Sequence, residues 1–146
     1  MPIKTFRGQI AHNTEDTIVL HTNNGSTGYK IIKFEVMPAD VADAGGEHLC
    51  KIYSLSGTTI DNSVDFSDQT LLAAAIANNS SSVHIYGLNF VSIFDNRIVN
   101  QDIYVTHWDN DSGRALNYYI EMEQIKLDLN QNTVATLKDI RNIEGQ

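Results

Sequence analysis

The segment THWDNDSG (residues 106–113) sets His107, Asp109 and Asp111 beside Gly113, residue types that calcium loops and metal sites use. A helix-flanked calcium loop needs oxygen ligands at alternate positions, glycine at the sixth and a bidentate glutamate at the twelfth. Counted from Asp109, Asp111 takes the third position, but Gly113 falls fifth, Arg114 sixth and Ile120 twelfth. That spacing fails, and an irregular calcium site at Asp109 and Asp111 is the residual metal reading. The competing expectation is architectural. Asp and Asn side chains bond local backbone, Gly113 takes the left-handed conformation, and DNDSG makes a hairpin corner. Trp108 and Arg114 flank the corner and are expected to grip a protein neighbour.

Other constellations are weaker. The five histidines (His12, His21, His48, His84 and His107) are dispersed, with no HxH or HExxH pair, so a transition-metal site requires His21, His84 and His107 to converge from separate strands. Glu121 and Glu123 are two apart and share one strand face, with Asp102 as a third acid, the minimum for glycoside hydrolysis. The same row is what the solvated face of an antiparallel sheet looks like. No nucleophile elbow, dinucleotide fingerprint or phosphate loop is present. Tyr118 and Tyr119 are adjacent, so they point to opposite faces and at least one belongs to the core. No catalytic residue, metal or cofactor is assigned.

Around these residues the chain reads as one domain over residues 1–146. Its net charge of −8 argues against wrapping nucleic acid by neutralising phosphates. No apolar run approaches the roughly 20 residues of a membrane span, and MPIKTFRGQI lacks the apolar core of a signal peptide. A soluble protein made in a cytoplasm is expected. Cys50 is the sole cysteine, so no internal disulfide forms. Fourteen Asn against six Lys suits a β protein with many corners.

Strand signals recur at short spacing. DTIVLHT (16–22) and YKIIKFEVMP (29–38) alternate and are joined by NNGSTG, which predicts a hairpin closed by Pro38. LCKIYSL, VHIYGLNFVSIF, QDIYVTHW and NYYIEMEQIKLDL continue the pattern. In the last, Tyr118, Ile120 and Met122 occupy even positions and Ile125, Leu127 and Leu129 odd ones, which predicts a bulge near Glu123–Gln124 or a change of sheet. SDQTLLAAAIANN (67–79) reads as the one short helix, capped by Ser67 or Asp68. KTFRGQI is an edge strand or an arm, and TVATLKDIRNIEGQ a short helix or an arm. The expected fold is an all-β antiparallel sandwich, possibly a jelly roll, of seven to eight strands.

HTNNGSTGYKIIKFEVMP, FSDQTLLAAA, IFDNRIVNQDIYVTH and NYYIEMEQIKLDLNQNTVATLKDIR together resemble a group of small virion structural proteins of marine tailed phages, from about residue 17 to residue 141. The resemblance implies a capsid decoration or cement protein on the virion surface, assembled in the host cytoplasm. It implies the major capsid protein and copies of the chain itself as partners, commonly as trimers, and carries no catalytic residues. Under it, Phe6 and Arg7 in the N-terminal segment join Trp108 and Arg114 as expected protein contacts. The alternative is a carbohydrate- or calcium-binding sandwich on a tail or capsid tip.

Overall fold

In the computed structural model, which describes residues 2–41, 45–80, 85–111 and 113–144, two antiparallel sheets pack face to face. In chain order the strands are β1 (Ile3–Ile10), β2 (Thr14–Ile18), β3 (Thr27–Pro38), β4 (Gly46–Tyr53), β5 (Leu71–Ser80), β6 (Ile85–Ile93), β7 (Ile98–Val99), β8 (Ile103–Asp109) and β9 (Leu116–Lys126), followed by helix α1 (Leu129–Glu144). One sheet runs β1-β9-β3-β7 and the other β2-β8-β4-β5-β6. The two halves of the chain are wound together: β1 pairs with β9, β2 with β8, β3 with β7 and β4 with β5. A long hairpin rolled into two sheets in this way is a jelly roll. β6 stands outside the scheme, added at the edge of the larger sheet.

Strict alternation drives this arrangement in β9. Leu116, Tyr118, Ile120 and Met122 are buried, while Asn117, Tyr119, Glu121 and Glu123 between them stay partly exposed. From the facing sheet Cys50, Ile52, Ile103 and Val105 complete a single core. Removing such side chains from water is the main favourable term, about 1.5–3 kcal/mol each.

Several expectations need correction. Residues 16–22 and 29–38 do not form a hairpin, because β2 and β3 belong to different sheets. NNGSTG carries the chain across, with Gly25 at φ +66° and the Ser26 carbonyl accepting from Leu127 N at 2.8 Å. DNDSG likewise links the sheets, joining β8 to β9. The expected bulge lies on the partner strand: the β3–β9 register slips between Ile31 and Lys33. Ile31 and Phe34 are therefore both buried while Ile32 is exposed.

The segment 67–79 is not a helix. Its alanines form β5, an interior strand with β4 on one side and β6 on the other. Ala73, Ala75 and Ala77 face the core, and Leu71 and Ala74 are buried as well. A strand covered on both faces reads as a continuous apolar run, which periodicity cannot distinguish from a buried helix. Asp68 does not cap a helix; its Oδ1 accepts from Thr70 N (2.9 Å) and Thr70 Oγ1 (2.6 Å) in a local turn.

The outer cover of the larger sheet includes residues 54–70. Beneath them Lys51 is 3 % exposed, donating from Nζ to the Ser63 carbonyl at 2.8 Å with Asp61 at 3.5 Å. The helix of the fold is α1, in the segment the sequence left open between helix and arm. Asp128 Oδ1 accepts from Gln131 N (2.7 Å), and Gln131 Oε1 accepts from Asp128 N (3.0 Å), a reciprocal cap of the helix start. The N-terminal segment is an edge strand, paired with β9 from Ile3 to Ile10.

Candidate functional site

Asp109 ends β8 and is 3 % exposed. Its Oδ1 accepts from Glu47 N (3.1 Å) and Asp111 N (3.2 Å), and its Oδ2 from Arg114 N (2.9 Å). The carboxylate thereby organises the crossing, while Gly113 turns the chain at φ +67°. Among the described residues no three His, Cys, Asp or Glu side chains gather at a spacing that holds a metal ion. Trp108 is half-buried, its ring 4.5 Å from that of His12 and its Nε1 3.4 Å from Asn110 Oδ1. Arg114 is exposed and meets Asp40 at 3.4 Å.

The histidines converge differently from the expected set. His84 lies outside the described residues, and His21 sits away, three residues past β2 and bound to Asp102. The group that forms is His12, His48 and His107. His48 Nδ1 stands 2.9 Å from His107 Nε2, and the rings are stacked at 5.1 Å. His12 Nδ1 accepts from Asp109 N at 3.0 Å, which places its proton on Nε2 when neutral. Burial pushes His107 down to about 4; His48 and His12 add to this, against the Ala11 backbone and Asp109. His107 Nδ1 makes no well-formed hydrogen bond. This packed pair joins β4 to β8.

The three acids proposed for hydrolysis do not assemble. Glu121 and Glu123 lie on the outer face of β9, 3.7 Å from Lys33 and 4.0 Å from Lys30, as a solvated row predicts. Asp102 precedes β8 in the other sheet. Its Oδ1 takes Leu20 N (2.9 Å), His21 N (3.1 Å) and His21 Nδ1 (2.6 Å). Burial acts to raise its pKa, but these hydrogen bonds outweigh it and hold the carboxyl below its usual range. Cys50 is wholly buried, and desolvation pushes its thiol far up, which makes it inert.

An open groove of about 820 Å³ lies elsewhere. Arg7, Tyr119 and Glu35 are in register across β1, β9 and β3. Met37 and Asn117 extend this lining, and Asn89 and Val91 of β6 contribute to it. Arg7 was expected as a contact residue and falls in this groove. Phe6 packs half-buried against the core instead. Sequence alternation assigned one of Tyr118 and Tyr119 to the core; Tyr118 takes that place and Tyr119 lines the groove. No family model, curated protein or solved structure matches the chain.

Proposed function

We propose that this chain is a non-enzymatic virion structural protein, a capsid decoration or cement protein that stabilises a tailed-phage head. Its partners are then the major capsid protein and further copies of itself. The observation that carries the proposal is how the reactive side chains are used. Asp109, His48, His107, Asp102, Glu121 and Glu123 are each engaged in bonds that hold the sandwich, and Cys50 is sealed in the core. Large apolar side chains, meanwhile, face solvent along β6. A rigid sandwich with such an edge suits docking. Jelly rolls serve capsids and lectins alike, so the fold alone does not choose between them; the resemblance of the chain's segments to virion proteins favours the capsid reading. Quantitative mass spectrometry of purified virions tests it. Copy numbers approaching that of the capsid protein support the proposal, and absence from the particle overturns it.

The groove favours a second reading, a carbohydrate-binding module on a tail or capsid tip. Tyr119 offers a ring to a sugar face, and Arg7, Glu35 and Asn117 offer hydrogen bonds around it. A glycan that raises the melting temperature, with the gain lost in Tyr119→Ala, supports this reading. No shift across a glycan panel removes it.

A further inference from the structure

Residues 69–94 contain none of the chain's ten basic and eighteen acidic residues. They include β5 and β6, the outer two strands at one side of the larger sheet. β6 is bonded to β5 along one edge, and among the described residues no strand pairs with its other edge. Phe90 is 59 %, Val91 41 % and Ile93 37 % exposed. Edge strands are ordinarily kept apart by charge, proline, short length or a bulge. β6 has nine residues and neither charge nor proline, and its one irregularity lies at Asn78–Ser80, away from Phe90–Ile93.

The other edges are guarded. β2 carries Glu15 and Asp16, β1 carries Lys4 and Arg7, and β7 is two residues long. We infer that β6 is a self-association edge, at which two copies pair antiparallel across a two-fold axis and join their five-stranded sheets. The charge distribution selects a second copy as the occupant. Each chain carries −8, so copies repel where their carboxylates face each other, but not across this neutral strip. An acidic or basic partner finds no counter-charge on it. Identical edges related by a two-fold pair each other's outward N–H and C=O groups. The contact also buries Phe90 and its neighbours.

This inference rests on the assembly reading for its purpose but gives a dimer where the resemblance implies trimers, and its test is separate. Sedimentation velocity and native mass spectrometry of the whole chain read the oligomer directly. The expected result is a dimer of twice the 16.3 kDa chain. Phe90→Lys and Ser92→Lys should each raise the dissociation constant by at least about tenfold, with β-rich circular dichroism retained. Thr5→Lys, on the β1 edge of the other sheet, should leave the dimer unchanged. A monomeric or trimeric wild type overturns the inference, as does a dimer indifferent to both β6 variants. Equal disruption by Thr5→Lys overturns the two-fold in favour of head-to-tail pairing. A dimer absent from virions contradicts the assembly reading alone, and a monomeric protein abundant in virions contradicts this inference alone.

Discussion

His48 on β4 and His107 on β8 share a 2.9 Å nitrogen–nitrogen hydrogen bond with both rings buried. One ring must donate and the other accept, so the pair tolerates at most one extra proton without breaking the bond. His107 stays neutral down to about 4, whereas in the unfolded chain an imidazole titrates near 6.5. Between those values the unfolded state binds the proton and the folded state does not.

Folding stability should therefore fall as pH drops from about 6.5 to about 4, by up to roughly 3 kcal/mol, and then cease to depend on this group. Urea denaturation across that window measures it. His107→Gln should flatten the slope even if it lowers stability at pH 7; an unchanged slope in the variant assigns the effect elsewhere.

Tyr118 works with the opposite sign. Its hydroxyl donates to Asp16 Oδ2 at 3.2 Å, bridging the two sheets, and burial followed by Asp16 pushes its pKa up to about 12. The unfolded chain loses this proton near 10, so stability should decline between about pH 10 and 12. Tyr118→Phe should cost about 1 kcal/mol at neutral pH and remove that part of the alkaline loss. Retention of the full loss contradicts the assignment.

Asp109 receives three backbone N–H groups at the β8–β9 crossing. Asp109→Ala leaves those donors without their acceptor and should destabilise by about 2–4 kcal/mol, with Asp109→Asn intermediate. Calcium should not change the melting temperature of the wild type. A saturable rise with calcium would instead assign the corner to metal binding.

The reciprocal bonds between Asp128 and Gln131 make the start of α1 sensitive to one residue. Asp128→Ala should cost about 1 kcal/mol and speed amide exchange in the first turn of the helix. Exchange rates unchanged there would show that packing, not the cap, holds that end.

Where one face of a strand is buried, the sequence displays it. Tyr118, Ile120 and Met122 inward with Glu121 and Glu123 outward, and Pro38 ending β3, all follow from period two. Burial on both faces erases that signal. Leu71–Ala77 combines helix-favouring residues with a continuous apolar run, and its place between β4 and β6 overrides the propensity. Pairing is illegible for a different reason. A jelly roll joins distant residues, such as Ile3 to Glu123, and local turn residues cannot announce such partners. For the same reason NNGSTG and DNDSG looked like hairpin turns when they are crossings between sheets. The His48–His107 contact spans 59 positions and has no local signature. The helix α1 is undecided in the sequence because the periodicity of TVATLKDIRNIEGQ is weak, and its cap at Asp128 and Gln131 lies ahead of that segment.

Cryo-electron microscopy of the virion with this protein labelled tests the central proposal most directly. The account predicts label at regular positions over the head exterior, in contact with the major capsid protein. Particles without label, or label confined to a tail tip, would contradict it.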